Sequence, residues 1–179
     1  MTVALEINGR RREILVEPDE SLLEVLRRLG ITSVRRGCDT ASCNACTVLV
    51  DDRPVPSCAF PAARAAGHRV TTVEGLPASI LDLARELTAE GAEQCGFCGP
   101  ALLLTVHAME RELTRPTTEE INHYLAGNLC RCSGYAAQLR AIERYLARGG
   151  AGPSGAAGEA AGDARSRDAA GGAETEALP

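Results

Sequence analysis

Eight cysteines in a chain of 179 residues constrain the fold of this protein more than any other feature. They fall into two groups of four, which are Cys38, Cys43, Cys46 and Cys58, then Cys95, Cys98, Cys130 and Cys132. The segment MTVALEINGR has no apolar signal core, and no later stretch approaches the roughly 20 apolar residues of a membrane span. We therefore expect a cytoplasmic protein without membrane contact, in which a reducing environment favours metal ligation over disulfides.

The first cysteine group has the spacing C-x4-C-x2-C followed by one more cysteine. This is the spacing of plant-type ferredoxins, which bind a [2Fe–2S] cluster. Three thiolates on one irregular loop can surround a cluster, and the fourth arrives from the segment that follows the next strand. The alternatives are a zinc site or free core thiols, but zinc sites usually show two close pairs rather than this triplet.

The second cysteine group places a C-x2-C pair far upstream of a C-x-C pair. In an up-down helix bundle the two loops that carry these pairs lie at the same end, so four thiolates converge there. Pro100 predicts a helix start just after Cys98, and a helix N-terminus favours an anionic group. A thioredoxin-like dithiol at Cys95 and Cys98 and a four-cysteine zinc site remain as alternatives. The neighbouring ferredoxin-type loop favours iron.

Residues 1–76 carry the signals of a small mixed sheet with one helix. Alternating apolar residues on both sides of Asn8-Gly9 predict a β-hairpin. Helical spacing over residues 22–29, with Ser21 or Asp19 as N-cap and Gly30 beyond the end, predicts a helix. Further strands are predicted at residues 47–50 and 69–73, with a turn at Asp51-Asp52 between them.

Residues 77–148 change to helical spacing and predict four helices, whose apolar rows form a bundle core. Thr117 and Glu120 form a candidate capping box for the third helix, and Gly127 can end it. Residues 149–179 contain eight Gly and ten Ala. Because almost nothing there is large enough to bury, we expect a disordered tail.

Charge and aromatic content argue against nucleic-acid binding. The formal net charge is -5, and all 19 basic residues are Arg that are scattered rather than gathered into a stripe. Trp is absent and only two Phe and three Tyr occur, which leaves no platform on which bases could stack.

Six short motifs in order resemble the small iron–sulfur subunits of the xanthine oxidase family, which includes carbon monoxide dehydrogenase and aldehyde oxidoreductase. The resemblance covers residues 2–147. Its motifs are Arg36-Gly37-Cys38-Asp39-Thr40, Cys43-Asn44-Ala45-Cys46-Thr47-Val48, Ser57-Cys58, Thr72-Val73-Glu74-Gly75-Leu76, Gln94-Cys95-Gly96-Phe97-Cys98 and Gly127-Asn128-Leu129-Cys130-Arg131-Cys132-Ser133-Gly134-Tyr135.

The resemblance implies an α+β fold, with a β-grasp ferredoxin domain at 1–76 and a four-helix [2Fe–2S] bundle at 77–148. It implies two partners, a large subunit that binds a molybdopterin (dinucleotide) cofactor and a medium subunit that binds FAD. In such an assembly substrate is oxidised on the large subunit, so we expect no catalytic residue in this chain. The resemblance further implies that electrons pass through the second cluster and then the first, with Gln94 and Cys132 as candidate contacts to the pterin. The alternatives are a free-standing two-cluster electron carrier and a structural zinc protein.

The sequence departs from the family pattern at several positions. Relatives commonly have Gly where this chain has Asp39, Ala41 and Asn44, and after Cys98 they commonly have Thr or Ser, then Pro and Gly, where this chain has Gly99-Pro100-Ala101. A left-handed backbone is tolerated by Asp and Asn but disfavoured for Ala by on the order of 1 kcal/mol, so Ala41 tests the resemblance most directly. The three histidines are not needed as ligands, since eight cysteines complete two clusters. These are His68, His107 and His123.

Overall fold

The computed structural model describes residues 1–149. Apart from Gly149, the tail that the sequence predicts to be disordered lies outside the described residues. None of the helices in the described range combines the length and hydropathy that a membrane crossing requires. Within this range the fold is a mixed α/β arrangement of one five-stranded sheet and five α-helices.

The sheet has the strand order β2-β1-β5-β3-β4. Its strands are β1 (Thr2–Ile7), β2 (Arg10–Leu15), β3 (Thr47–Val50), β4 (Arg53–Pro56) and β5 (Arg69–Thr71). Strands β1 and β5 run parallel, and the other neighbours are antiparallel. The predicted hairpin is confirmed, because Asn8 (φ 50°) and Gly9 (φ 74°) have the two positive φ angles of a type I′ turn.

Strand β4 was not predicted from the sequence. Its four residues include Pro54 and Pro56, and proline cannot donate a ladder hydrogen bond. The strand nevertheless forms because it lies at the edge of the sheet and pairs only with β3. This short edge strand leads the chain directly to Cys58.

Helix α1 (Leu22–Arg28) packs its apolar face against the sheet. Of the two candidate N-caps, the structure selects Ser21, whose hydroxyl accepts a hydrogen bond from the Glu24 amide in a complete capping box. Gly30 follows the helix with φ 84°, as the sequence predicts. The core beneath is formed by fully buried side chains that include Leu5, Leu22 and Leu26.

The four predicted helices of the second half are confirmed as α2 (Ile80–Ala89), α3 (Gly99–Glu112), α4 (Thr118–Leu125) and α5 (Ala136–Ala147). They share a second core, and Thr117 forms the predicted capping box with Glu120. The start of α3 was predicted one residue late. Cys98 occupies the N-cap position, so Pro100 is the second helical residue instead of the first.

The two halves meet along β3 and α3, where Leu49, Leu104 and Ala108 form a small buried cluster. Arg111 on α3 also lies 3.5 Å from Asp52 in the turn after β3. This packing fixes the loop before β3 next to the loop before α3, and each of those loops carries cysteines.

Candidate metal centres

The first cysteine group is assembled by the loop before β3 and the turn after β4. Cys43 and Cys46 are buried, and Cys38 and Cys58 are half-buried. The position of Cys58 is fixed by its neighbour Ser57, whose buried hydroxyl donates a 2.6 Å hydrogen bond to the Cys46 carbonyl. The sequence separates Cys46 from Cys58 by a whole hairpin, and the fold brings them together.

Backbone amides of the loop point at Cys38. The amide of Cys43 contributes most, the Cys43 thiol next, and the amides of Thr40 and Ser42 after that. Together these donors lower the pKa of the Cys38 thiol from its ordinary value to about 6. Such a concave set of amides is suited to an anionic sulfur.

The remaining thiols of the first group are controlled by burial. Burial raises the pKa of the Cys58 thiol to about 11, helped by its hydrogen bond to the Cys46 thiol and by the charges of Cys46, Cys38 and Cys43. Burial also raises the pKa of Cys43. All four sulfurs are therefore close enough to influence one another.

The loop around Cys43 has the backbone strain that the sequence predicts at Ala41. Ala41 has φ 55° and Asn44 has φ 51°, both in the left-handed region. For Asp39 the comparison with glycine does not hold, because its φ is not positive and its carboxylate instead accepts a 3.2 Å hydrogen bond from Arg36. Two of the three positions at which relatives commonly have Gly, Ala41 and Asn44, thus have the left-handed backbone that glycine adopts easily.

The second cysteine group lies at the ends of helices. The two loops meet as predicted, and their thiols form two hydrogen-bonded pairs, Cys98 with Cys130 and Cys95 with Cys132. Burial raises the pKa of Cys98 to about 12, with further contributions from the Cys130 thiol and the charges of Cys130 and Glu93. Cys95 and Cys132 are exposed, and the Cys95 thiol raises the pKa of Cys132.

Side chains stabilise the sulfurs of the second group. The Ser133 hydroxyl and amide donate to Cys130 Sγ at 3.1 and 3.4 Å. Burial alone would raise the pKa of Cys130, but these two donors, the Cys132 amide and the Cys98 thiol together lower it. Gln138 Nε2 lies 3.9 Å from Cys98 Sγ.

Gln138 was not singled out by the sequence analysis. It is a buried polar residue, with 6% of its surface accessible, on the inner side of α5. It stands one helical turn before Ile142, which belongs to the predicted apolar row. A polar residue in register with a core row was the signal that could have found it.

Gln94 and Cys132, the two residues that the resemblance assigns to pterin contact, lie next to each other on the surface. Gln94 Nε2 donates a 3.3 Å hydrogen bond to the Cys132 carbonyl. Their contact with a pterin stays a prediction.

The thiols meet in pairs instead of converging on one point. Among residues 1–149, no three His, Cys, Asp or Glu side chains come together as a single metal ion requires. Thiol hydrogen bonds instead define the pairs Cys38–Cys43, Cys46–Cys58, Cys98–Cys130 and Cys95–Cys132. Two pairs of thiolates, one pair for each iron, are the donor set of a [2Fe–2S] cluster. The residues present therefore fit two such clusters.

A cavity of about 390 Å³ separates the two groups and is lined from both sides. Gly37, Cys43 and Ala45 contribute from the first loop, and the second half supplies Cys95, Phe97, Cys98, Leu129, Cys130, Arg131 and Cys132. Two of these lining residues are hydrogen bonded, because the Leu129 amide donates to the carbonyl of Cys43 at 3.1 Å. The two groups are thus joined through backbone atoms.

Two family models match this chain in succession. Residues 5–71 match the family described as a 2Fe-2S iron–sulfur cluster binding domain, and residues 72–143 match the one described as a [2Fe-2S] binding domain. Each matched range contains one complete cysteine group.

Two curated relatives match over most of their length. The chain is 40% identical over 151 residues to the nicotinate dehydrogenase small FeS subunit of Eubacterium barkeri, which covers 81% of this chain and 94% of the relative. It is also 40% identical over 142 residues to the xanthine dehydrogenase iron–sulfur-binding subunit of Escherichia coli O157:H7, which covers 75% and 87%.

Solved structures share the fold. Quinoline 2-oxidoreductase from Pseudomonas putida 86 aligns with TM-score 0.74 and 34% identity over 83% of this chain and 97% of the matched chain. The aldehyde oxidoreductase from Desulfovibrio desulfuricans aligns with TM-score 0.75 and 35% identity, again over 83% of this chain but over 17% of the larger one. The resemblance inferred from the motifs is confirmed, and the chain belongs to the family of small iron–sulfur subunits, with two [2Fe–2S] domains, of the xanthine oxidase and aldehyde oxidoreductase group.

Proposed function

We propose that this chain is the electron-transfer subunit of a molybdenum hydroxylase. It relays electrons from a molybdopterin site on a large subunit to FAD on a medium subunit. The observation that carries the proposal is the presence of two complete sets of four thiols, joined by the hydrogen bond from Leu129 to Cys43. The chain itself supplies no substrate chemistry.

The proposed ligands of the first cluster are Cys38, Cys43, Cys46 and Cys58, and those of the second are Cys95, Cys98, Cys130 and Cys132. A bound [2Fe–2S] cluster supplies one-electron transfer, and the residues of the chain hold it in place. We assign the first set to a β-grasp ferredoxin domain at residues 1–76. The second set belongs to a four-helix bundle domain at residues 77–148.

The surface around the second group supports a docking site for the large subunit. Phe97, Leu129 and Tyr135 expose 39%, 57% and 46% of their surface beside the exposed Cys95 and Cys132. Exposed apolar residues that cluster around a functional site are typical of a protein interface. In the proposed complex Gln94 and Cys132 contact the pterin there, and the second cluster is the first acceptor.

The connection between the two groups supports transfer from the second cluster to the first. Cys130 follows Leu129 in the chain, and the Leu129 amide donates directly to the carbonyl of Cys43. One hydrogen bond therefore completes a short path between a ligand of each set. Electrons then leave the first cluster for FAD on the medium subunit.

A free-standing two-cluster carrier is the alternative in a different class. The exposed apolar side chains of Phe97, Leu129 and Tyr135 favour a chain that is permanently bound to a partner. A freely diffusing carrier would leave these side chains in water. The cytoplasmic location inferred from the sequence stays a prediction.

Metal analysis tests the proposal first. Aerobic purification should give about four iron atoms and four acid-labile sulfides per chain, with two distinguishable EPR signals after reduction. Zinc in place of iron would contradict it. Co-expression with candidate large and medium subunits should then yield a complex in which substrate reduces both clusters. A chain that binds its iron but joins neither subunit would instead favour the free-standing carrier.

A further inference from the structure

A cation–π contact between Arg35 and Phe97 also connects the two cysteine loops. The guanidinium of Arg35, three residues before Cys38, lies over the Phe97 ring at 5.5 Å from its centroid. Phe97 belongs to the C-x2-C segment between Cys95 and Cys98. A guanidinium at this distance is attracted by the ring face and held there.

The Phe97 ring itself is lodged against the first loop. A Cβ added at Gly37 would lie 3.2 Å from Phe97 Cε1 and 3.0 Å from Cys43 Sγ. The ring thus lies beside Cys43, a proposed ligand of the first cluster. Phe97 itself belongs to the segment that carries Cys95 and Cys98, two proposed ligands of the second cluster. Arg35 is anchored on the same side, because its amide donates a 3.3 Å hydrogen bond to the Ala45 carbonyl.

One donor atom of the Arg35 guanidinium has no partner in the part of the protein that the structure describes. This atom is Nε, which is buried. The next residue offers a contrast, since the exposed Arg36 donates through Nε to Asp39 at 3.2 Å. A buried donor without an acceptor is costly unless a negative charge nearby offsets it, and thiolate-ligated clusters on either side would provide that charge.

We propose that the guanidinium of Arg35, held in place on the Phe97 ring, is a fixed positive charge that raises the reduction potentials of both clusters. The inference rests on the proposed function. Reduction adds one electron and no proton to a cluster, so its negative charge increases by one while the ligand thiolates stay unchanged. A fixed cation stabilises the reduced form more than the oxidised form, and its effect is larger where water is excluded.

The test is a redox titration of the full chain with dithionite as reductant, followed by EPR of both clusters. Arg35→Gln should lower both midpoint potentials, because the Phe97 ring under the guanidinium belongs to the second loop and packs against the first. Arg35→Lys should recover most of the shift, since it keeps the charge. Arg36→Gln is the matched control, and its shift should be much smaller because Asp39 already neutralises that charge.

Phe97→Leu provides a second route to the same answer. This variant keeps the cation but removes the ring that holds it, so the potentials should fall in the same direction by less. The double variant Arg35→Gln, Phe97→Leu should fall no further than Arg35→Gln alone. If Arg35→Gln loses its iron, the reduction potentials of Arg35→Lys and Phe97→Leu test the proposal instead. A Phe97→Leu chain that keeps both clusters at unshifted potentials would overturn it.

Two outcomes separate the inference from the proposed function. Equal shifts in Arg35→Gln and Arg36→Gln, or intact clusters with unchanged potentials in Arg35→Gln, would refute the role of Arg35 and leave the proposed function standing. Absence of the two EPR signals from the unmodified chain would instead remove the proposed function itself.

Discussion

The first cysteine group is more deeply buried than the second, because it combines two buried with two half-buried thiols, whereas the second combines two half-buried with two exposed ones. Cys43 and Cys46 retain 5% and 2% of their accessible surface, while Cys95 and Cys132 are exposed. The first loop leads directly into strand β3, and the Ser57 hydroxyl holds its Cys46 carbonyl by a hydrogen bond. The second stands at helix ends beside exposed apolar side chains, so a partner can approach its sulfurs directly.

The two groups also differ in what donates to their sulfurs. Cys38 is surrounded by the backbone amides of Thr40, Ser42 and Cys43, which depend on loop conformation. The second group also receives amide donors, at Cys130 from Ser133 and Cys132, but it adds the side chains of Ser133 and Gln138. Single side-chain replacements should therefore disturb the second environment more than the first.

Removing one ligand from each group should have the largest effect and should separate the two. Cys43→Ser and Cys132→Ser should each cost the chain about two irons, because each destroys one cluster. In the reconstituted complex, Cys132→Ser should prevent transfer out of molybdenum. Cys43→Ser should leave the second cluster reducible by substrate but block transfer to FAD, as followed by rapid-freeze EPR.

The order of transfer has its own decisive outcome. The Cys43→Ser complex must first be shown to retain an intact second cluster and molybdenum site. If substrate then leaves that second cluster oxidised, the order from second cluster to first is wrong.

Exposure should make the second cluster the more labile one. When the chain is isolated from its partners, a chelator should remove iron from the second cluster several times faster than from the first, because Cys95 and Cys132 are open to solvent. Cluster-specific EPR during incubation measures both rates. Binding of the large subunit should slow the loss from the second cluster alone, and equal rates in the isolated chain would contradict the contrast in burial.

Much of this arrangement could be predicted from sequence because its signals are local. The Asn8-Gly9 turn, the Ser21 cap and the Thr117–Glu120 capping box each depend on a few adjacent residues. The cysteine spacing indicated which thiols belong together. Ala41 was identified as a left-handed position through the resemblance, and its φ of 55° agrees.

The features that escaped prediction depend on tertiary contacts. Strand β4 contains two prolines, and only its place at the sheet edge permits it. Gln138 approaches Cys98 because α5 packs beside the start of α3, although 40 residues separate them in the chain. The contact between Arg35 and Phe97 likewise joins two loops whose proximity no local pattern indicates.

Replacing Gln138 should act on the second cluster only. Gln138→Leu removes the donor to Cys98 and keeps a similar volume, so the reduction potential of the second cluster should fall. A hydrogen bond to a charged acceptor is worth about 1.5–3 kcal/mol, and a contact of 3.9 Å belongs at the low end. Redox titration monitors the change, with the first cluster as internal control. A shift of both potentials would show that Gln138 acts through the fold.

The smallest expected effects come from exchanging alanine and glycine in the two loops. Ala41 (φ 55°) belongs to the first loop, and Gly96 (φ 72°) belongs to the second. The left-handed conformation costs a non-glycine residue about 1–2 kcal/mol. Ala41→Gly relieves that strain but loses about 0.5–1 kcal/mol through the greater entropy of the unfolded chain. The net result should be a slight stabilisation or no change.

Gly96→Ala should have the opposite sign, because it creates the strain that Ala41 already carries. The new Cβ would meet Glu93 Oε1 at 3.4 Å, an ordinary contact, so backbone strain of about 1–2 kcal/mol should dominate. Melting of the cluster-loaded chains at one scan rate compares both variants. Ala45→Gly is the control, since Ala45 is buried and has no positive φ, and it should destabilise the first loop. A clear loss of the first cluster in Ala41→Gly would show that this loop needs the alanine side chain, and the proposed parallel between the two loops would then fail.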